Sequence, residues 1–326
     1  MSEGNGNVLV TGATGFLGRR LCQRLTERGD RVVAVGRKAA EGPWSSFVEH
    51  DLATGSLHPD ELRGVSTIYH LASRAHALSE PPHEVSVYNE IIVEGTRHLV
   101  EAALQAGVKR FVYFSSVKAM GEGNPSGSDP APLDESNSPS PDSPYGQAKA
   151  RAEQVVLGAG LPHAVVLRPV MVFGPGEKGN LPRMVEAVRR NRFPPLPETG
   201  NRRSMIHVDD VVEFSLRAAD LPEAAGRTYI LAGPDAPSTR ELYDSIRKGL
   251  GLPPRAWSVP LFILQAAAGA GSLIGWIFRR RLPLDRDSLS KLTGSAWYSA
   301  ARAERELQYR ARCSVREWLQ AGSPSA

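Results

Sequence analysis

Cysteine is scarce in this sequence: Cys22 and Cys313 are the only two among 326 residues. Two cysteines so far apart indicate neither a disulfide framework nor a metal-ligand cluster, and they suit a reducing compartment. Residues 1–6 are polar and run directly into an apolar segment, so we expect no signal peptide. These absences predict a cytoplasmic protein without a metal site.

Neither sign of charge predominates in the chain. Thirty-nine Lys and Arg residues against 35 Asp and Glu residues give a net charge of +4. Arginines gather in the second half, at residues 183, 189, 190, 192, 202 and 203, but no nucleic-acid-binding motif accompanies them. We therefore expect no nucleic-acid partner. Hydrophobic residues make up 41% of the chain, which is enough to bury a large core.

A glycine-rich segment follows the first apolar run, residues 8–10. Gly12, Gly15 and Gly18 lead into residues 17–25, whose leucines share one helical face, so the pattern predicts strand, turn and helix. Gly12 would allow a tight turn, Gly15 would let the backbone approach a pyrophosphate, and Gly18 would let helix and strand pack closely. The alternative to this dinucleotide-binding turn is an ordinary loop.

Tyr145 and Lys149 lie four residues apart in a segment, residues 145–157, whose alanines and valines predict a helix. Both side chains therefore share one face. A free phenol has a pKa of about 10 and releases its proton readily only if a nearby cation stabilises the phenolate. Alone, Tyr-x-x-x-Lys is more often two surface side chains. After a dinucleotide-binding turn, it predicts a redox enzyme.

With both motifs placed, the chain resembles the extended short-chain dehydrogenase/reductases, the family of nucleotide-sugar epimerases, dehydratases and keto reductases. Further segments match this family in its order: Leu71-Ala72-Ser73, Asn89 with Glu94-Gly95-Thr96, residues 111–116, residues 168–176 and residues 203–210.

The resemblance implies an α/β fold, a Rossmann-type doubly wound parallel sheet with a smaller, mostly C-terminal substrate domain. Residues 1–173 would form the dinucleotide-binding domain, to which residues 205–235 return. Residues 174–204 and 236–326 would form the substrate domain. The segment 203–210 is expected to re-enter the sheet.

The family's catalytic roles carry over by register. Ser116 would hydrogen-bond the reacting oxygen, Tyr145 would act as the acid/base, and Lys149 would assist it and bind the ribose. Ser115 is expected to cap the strand end. The implied cofactor contacts are Gly12, Gly15, Phe16, Leu17, Gly18, Arg37, Asp51, Leu52, Leu71, Ala72, Ser73, Tyr145, Lys149, Pro169 and Val172.

The implied substrate contacts are Lys118, Asn180 and Arg203, and Arg203 is the best phosphate candidate by family register. A metal site at His207, Asp209 and Asp210 is the alternative to a structural role for these residues, which the family context favours. The loop of residues 125–144 is expected either to arch over the substrate or to be a plain surface insertion.

Two departures from the family narrow the reaction. Dehydratases carry Asp-Glu directly after the catalytic hydroxyl, but this chain has Val117-Lys118, so sugar dehydration is not expected. Where an NAD-dependent member offers a carboxylate to the ribose, this chain has Gly36-Arg37, followed by Lys38. Two cations suit a 2′-phosphate, which favours NADP over NAD; the alternative is a pair of solvated loop charges.

NADP favours a net reductase, since cells supply reducing equivalents for such reactions mainly as NADPH. We therefore expect an NAD(P)-dependent oxidoreductase acting on a nucleoside-diphosphate sugar, as a 4-keto reductase or a 4-epimerase. Residues 115–118 and 201–204 also resemble a bacterial branch that includes 4-keto reductases of UDP-N-acetyl sugars. A 3β-hydroxysteroid-type or lipid-linked substrate is the alternative.

Residues 257–278 contain no charged residue and precede Arg279-Arg280-Arg281. A membrane span is one interpretation, but residues 303–307 and 314–319 resemble the family's closing helices, which pack on the soluble body. We expect a buried or oligomer-facing helix, with membrane-surface or lipid contact as the alternative. The family also dimerises through two long helices, here residues 84–106 and 145–157, which implies a homodimer.

Overall fold

The computed structural model describes residues 6–73, 84–121, 131–278 and 285–322, apart from the side chains of residues 84 and 273–278. Its strands are β1 (Asn7–Thr11), β2 (Arg31–Gly36), β3 (Ser46–Glu49), β4 (Val65–His70), β5 (Arg110–Phe114), β6 (His163–Pro169), β7 (Met171–Phe173), β8 (Met205–His207) and β9 (Thr228–Leu231). Within the described ranges, seven of them form one parallel sheet in the order β3-β2-β1-β4-β5-β6-β9.

Helices connect and cover these strands. They are α1 (Phe16–Glu27), α2 (Glu84–Tyr88), α3 (Gly95–Gln105), α4 (Pro144–Gly158), α5 (Asn180–Arg189), α6 (Val208–Asp220), α7 (Thr239–Gly249), α8 (Leu261–Phe278), α9 (Arg286–Thr293), α10 (Ala301–Glu306) and α11 (Val315–Gln320). A π-helical turn, Asn89–Glu94, joins α2 to α3. Local sequence starts α4, because Ser143 accepts a hydrogen bond from the N–H of Gly146 and Pro144 occupies the first turn.

The strand order reverses beside β1. The chain moves outward from β1 to β2 and β3, and then returns to place β4 on the other side of β1. The crevice between the carboxyl ends of β1 and β4 is therefore the switch point where α/β sheets bind ligands. This topology confirms the prediction of a Rossmann-type doubly wound parallel sheet.

Alternating residues of β1 face opposite layers. Val8 and Val10 belong to the apolar cluster that includes residues of α1 and α6, whereas Leu9 belongs to the cluster that includes residues of α3 and α4. All three side chains are at most 2% exposed. Helices thus cover both faces of the sheet, which explains why its strands read as nearly continuous apolar runs.

The segment 203–210 does not join the large sheet, so that expectation is wrong. β8 pairs in parallel with β7 instead, from Met171 opposite Met205 to Phe173 opposite His207. The chain re-enters the large sheet later, where β9 pairs with β6. Sequence could not show this, because β8 is only three residues long and its partner is set by tertiary packing.

The C-terminal half builds smaller cores. Phe173, Tyr243 and Val315 belong to a cluster formed with α5, α7 and α11. Ala303 and Leu307 pack into the core of the large sheet. The closing helices therefore pack on the body of the protein, as expected.

Helix α8 is apolar on both its covered and its exposed faces. Leu264 and Ala268 pack with Leu289, whereas Phe262 and Ile263 are exposed. The helix is therefore buried on one side, and an oligomer-facing role for its other side stays a prediction. Over the described residues, no helix combines the length and hydropathy that crossing a membrane requires. The arginine run 279–281 lies outside the described residues.

Candidate active site

The glycine-rich turn sits at the carboxyl end of β1. Gly12 has a φ of +68°, and a Cβ built on it would lie 2.8 Å from the backbone nitrogen of Ala72. A Cβ on Gly18 would lie 2.2 Å from the carbonyl oxygen of Gly12. Both positions therefore require glycine. Gly15 is the exposed N-cap of α1, and no side chain of the described residues caps this helix end, whose free N–H groups suit a phosphate.

A chain of buried hydrogen bonds joins this turn to residues 71–73. The hydroxyl of Thr96 donates to the carbonyl of Ile92 (2.5 Å) and therefore accepts from Nε2 of His70 (3.0 Å). Nδ1 of His70 then accepts from the hydroxyl of Thr11 (2.6 Å), which in turn accepts the N–H of Ala72 (3.0 Å). Burial lowers the pKa of His70 to about 3, so its ring is neutral. This network fixes the two turns of the crevice against each other.

Tyr145 lies in the first turn of α4, half-buried. Its ring packs edge-on against Tyr88, with ring centroids 5.8 Å apart. Burial raises the pKa of the Tyr145 phenol to about 12, and the Ser73 side chain offsets part of this increase. The buried Ser73 hydroxyl lies close enough to the phenol to act on its pKa, but it makes no hydrogen bond of good geometry with a described residue. An orphaned polar atom in the crevice, beside the tyrosine, fits a bound ligand such as the predicted dinucleotide.

Ser116 begins a 3-10 turn, Val117–Ala119, just beyond β5, and its hydroxyl accepts the N–H of Lys118 (3.3 Å). Gly146, the residue after Tyr145, packs against this turn. The structure therefore brings the elements that carry Ser116 and Tyr145 into direct contact.

Lys149 is 1% exposed and lies one helical turn after Tyr145. Its Nζ donates to the carbonyl oxygen of Phe114 (2.7 Å) and lies 4.8 Å from the ring centroid of Tyr113 and 6.0 Å from that of Tyr145. Burial lowers the pKa of the ammonium to about 7, and the charge of Glu153 opposes this decrease. The predicted catalytic lysine is thus buried, with its ammonium 6.0 Å from the ring centroid of the predicted catalytic tyrosine.

Glu153 and Arg168 form a buried ion pair next to Lys149, which the sequence did not lead us to assign. Arg168 donates from Nε to one carboxylate oxygen (2.9 Å) and from Nη2 to the other (2.5 Å). The hydroxyl of Ser115 also donates to Glu153 (2.5 Å). Ser115 follows the end of β5, as expected, and its hydroxyl also holds Glu153. The spacing of Tyr145, Lys149 and Glu153, four residues each, could have placed Glu153 on the face of Lys149, but it carried no signal for Ser115 or Arg168.

The remaining predicted cofactor residues surround the crevice on several elements. Arg37 and Lys38 are exposed just beyond β2, and neither makes an ion pair or a side-chain hydrogen bond with a described residue. Asp51 is half-buried and accepts the N–H of Ala53, whereas Leu52 is buried. The others are Phe16 and Leu17 at the start of α1, Leu71 after β4, Pro169 at the end of β6 and Val172 in β7, all half-buried. Their contacts with a cofactor stay predictions.

The three predicted substrate residues lie on three different elements. Lys118 is exposed in the turn after Ser116, and Asn180 is exposed at the start of α5. Arg203 is half-buried, and its Nη1 donates to the carbonyl oxygens of Lys291 (2.5 Å) and Gly294 (3.2 Å). Arg203 therefore also anchors the end of α9. Their role in substrate binding stays a prediction.

The histidine and aspartates that raised the question of a metal site have protein partners. His207 accepts the N–H of Asp209 at the start of α6, and Asp209 pairs with Arg20. Asp210 accepts the hydroxyl of Tyr309 (2.7 Å). These contacts are structural ones, as the family context indicated.

The loop of residues 125–144 lies partly outside the described residues. Leu133, in its described part, exchanges backbone hydrogen bonds with Trp297 (2.9 Å) and Ser299 (2.8 Å). This contact ties the loop to the segment before α10, and whether the loop covers a substrate stays a prediction.

Known proteins match both the sequence and the fold. The chain is 28% identical over 298 residues to the UDP-glucose 4-epimerase of Vibrio cholerae, which covers 89% of this chain and 86% of the relative. It is 29% identical over 328 residues to the 2-alkyl-3-oxoalkanoate reductase of Stenotrophomonas maltophilia, which covers 96% of this chain and 97% of the relative. The solved structure of MoeE5 in complex with UDP-glucuronic acid and NAD is similar with a TM-score of 0.72, at 28% identity and 96% coverage of each chain.

A family model matches most of the chain, in addition to these individual relatives. The model of the "NAD dependent epimerase/dehydratase family" matches residues 8–232, which span the glycine-rich turn, the Tyr145–Lys149 helix and β9. This match agrees with the resemblance to extended short-chain dehydrogenase/reductases found in the sequence. The chain therefore belongs to the NAD dependent epimerase/dehydratase family.

Proposed function

We propose that this protein is an NAD(P)-dependent oxidoreductase that acts on a nucleoside-diphosphate sugar, as a 4-keto reductase rather than a 4-epimerase. The observation that carries the proposal is the burial of the Lys149 ammonium near the rings of Tyr113 and Tyr145. A surface pair would leave both side chains solvated. This arrangement instead places a cation where it stabilises a phenolate.

The chain's own residues divide the proton chemistry among them. In the reductive direction the Tyr145 phenol donates its proton to the oxygen of the substrate carbonyl, and the Ser116 hydroxyl donates a hydrogen bond to the same oxygen. The Lys149 ammonium stabilises the phenolate that Tyr145 becomes. The nicotinamide, when bound, supplies the hydride.

The cofactor would lie in the crevice between β1 and β4. Gly12 to Gly18 would hold the pyrophosphate at the start of α1. The Ser73 hydroxyl, which makes no hydrogen bond of good geometry within the described residues, would find a partner beside Tyr145. We propose NADP as the cofactor, with NAD as the alternative, because Arg37 and Lys38 are exposed at the end of β2 without protein partners among the described residues.

The substrate class is supported by the relatives whose names include UDP-sugars, namely the Vibrio cholerae epimerase and MoeE5. Lys118, Asn180 and Arg203 would contact the substrate, with the guanidinium of Arg203 facing a phosphate. We propose residues 174–204 and 236–326 as the substrate domain. Val117-Lys118, in place of the dehydratase Asp-Glu, supports a reaction other than dehydration.

A lipid-like substrate of the 3β-hydroxysteroid or lipid-linked type is the second candidate. Trp257 is 58% exposed and Phe262 69% exposed beside the covered face of α8. An apolar surface of this kind would suit a hydrophobic substrate or contact with a membrane surface. The similarity to a 2-alkyl-3-oxoalkanoate reductase supports the same candidate.

We also propose a cytoplasmic homodimer formed through α2–α3 and α4. Val85, Leu104 and Leu157 are 47%, 41% and 39% exposed on these helices. A second copy would cover them.

Ligand-dependent unfolding separates the two substrate candidates. A ligand that binds only the folded state raises Tm by mass action, so millimolar uridine or thymidine diphosphate should protect the NADP-bound protein. Adenosine diphosphate serves as the control, added at saturating NADP so that it cannot act through the cofactor site. Protection by a sterol or a polyprenyl lipid, with none by either pyrimidine diphosphate, would favour the lipid-like substrate.

A further inference from the structure

Beneath the catalytic pair lies the Ser115–Glu153–Arg168 cluster, which has no role in the proposed reaction so far. We propose that Glu153 is a positioning residue: its carboxylate, held by Arg168 and Ser115, fixes the Lys149 side chain and keeps it charged. This proposal rests on the proposed function, in which Lys149 acts as an ammonium.

The geometry ties helix α4 to the end of β5 at two adjacent points. Lys149 donates to the carbonyl oxygen of Phe114, and the next residue of the chain, Ser115, donates to Glu153. Ser116, the predicted catalytic hydroxyl, follows directly. A movement of α4 along β5 would break both bonds, so the cluster holds Lys149 and Ser116 in one register.

The carboxylate is fully engaged. Glu153 is 4% exposed and Arg168 8% exposed, and both carboxylate oxygens accept hydrogen bonds from the guanidinium. A bidentate pair of this kind has a fixed orientation. Glu153 lies one helical turn after Lys149, so its charge lies on the same face of α4 as the ammonium.

Few other charges act on Lys149. The titratable groups that lie against it or act on it are Tyr145 and Glu153 on α4, Tyr113 on β5 and His70 on β4, and Arg168 on β6 pairs with Glu153. Burial raises the pKa of Tyr113 well above its ordinary value and lowers that of His70, so both rings are neutral. Among the described residues, Glu153 is therefore the anion that offsets the burial of the ammonium, and Arg168 opposes it.

Removing Glu153 and removing Arg168 should shift the pKa of Lys149 in opposite directions. A purely structural role of the cluster would not produce opposite shifts. Glu153→Gln removes the anion and leaves Arg168 unpaired, so both effects lower the pKa of Lys149. Arg168→Met removes the cation and leaves Glu153 to Lys149, which raises that pKa. If the cluster only packed the site, both variants would loosen it in the same way.

The test is a direct titration of Lys149 by NMR in the ligand-free protein, with carbon-13 at Cε of lysine. The chain has only seven lysines, and Lys149→Met assigns the resonance. The wild type should titrate at about pH 7. Glu153→Gln should titrate lower, Arg168→Met higher, and Arg168→Lys, which keeps the charge, close to the wild type. Shifts of the same sign in Glu153→Gln and Arg168→Met, or no shift in either, would overturn the proposal.

A double variant without the ion pair keeps the proposal testable if a single variant fails to fold. If a single variant loses its near-ultraviolet circular dichroism, Glu153→Gln with Arg168→Met removes both members of the ion pair, so neither Glu153 nor Arg168 is left as an unpaired buried charge. Its Lys149 should titrate below the wild type, because the anion that acts on Lys149 is lost. An unchanged midpoint would overturn the proposal. No substrate is used, so a wrong proposed function would show separately, as full turnover in Tyr145→Phe.

Discussion

Gly146 and Lys118 approach each other so closely that a Cβ on Gly146 would lie 2.3 Å from the carbonyl oxygen of Lys118. This contact joins the first turn of α4 to the turn that Ser116 begins. It therefore sets the separation between the predicted proton donor and the predicted catalytic hydroxyl.

We expect Gly146→Ala to lower kcat by on the order of a hundredfold, because a displacement of about 1 Å in a catalytic group has effects of that size. Gly158→Ala, on the same helix, is the matched control, since a Cβ there meets nothing within 4 Å. It should keep full turnover and unchanged or higher Tm, because alanine favours the helix by about 1 kcal/mol. Full turnover in Gly146→Ala would show that the contact does not position the site.

The charge of Lys149 should set the pH dependence of reduction. Its pKa in the ligand-free protein is lowered to about 7, whereas that of Tyr145 is raised to about 12. Reduction needs the ammonium and the phenol, so kcat/KM for NADPH should fall as pH rises through about 7 while Tyr145 remains protonated. Lys149→Met should lack this limb. A wild-type profile that stays flat to about pH 9 would contradict the role of Lys149.

Arg37 is expected to bind the 2′-phosphate of the cofactor. A charge-assisted hydrogen bond is worth about 1.5 to 3 kcal/mol, so Arg37→Ala should weaken NADPH binding by about 10- to 100-fold and leave NADH almost unchanged. Lys38→Ala is the comparison, with a smaller loss expected. Calorimetry with both cofactors checks this, and equal losses for NADPH and NADH would remove Arg37 from the phosphate site.

Replacing Arg203 with alanine should raise the KM for a nucleoside-diphosphate sugar, while the affinity for NADPH stays the same. Because Arg203 also anchors the end of α9, a control is needed for lost anchoring. Asn201→Ala supplies it: the Asn201 amide donates to Leu292 (3.2 Å) and Gly294 (3.1 Å) in the same region. Asn201→Ala should lower Tm without changing KM. Equal increases in KM would assign Arg203 to anchoring alone.

Local patterns in the sequence predicted much of the site. Gly12 and Gly18 could be predicted from the sequence. The turn needs a residue of positive φ at Gly12, and the helix needs a close approach to the turn at Gly18, only a few residues later. Tyr145 and Lys149 could be read because a helix places residues four apart on one face. Each signal is local, so the chain alone carries it.

Contacts between distant segments could not be read in the same way. Arg168 reaches Glu153 from a neighbouring strand, and His70 links Thr11 to Thr96 across three elements. The pairing of β8 with β7 depends on packing as well. None of these has a period or a spacing that identifies the partner before the fold is known.

In the proposed function Tyr145 is the proton donor of a reductase, and Tyr145→Phe tests this role most directly. The variant keeps the ring against Tyr88 and loses only the hydroxyl, so NADPH binding should be retained while turnover falls by about a hundredfold or more. Tyr88→Phe, which alters the packing partner rather than the donor, should keep near-normal turnover. Single-turnover oxidation of bound NADPH should be slowed in Tyr145→Phe alone. An unchanged rate in that variant would contradict the role of Tyr145 as the proton donor.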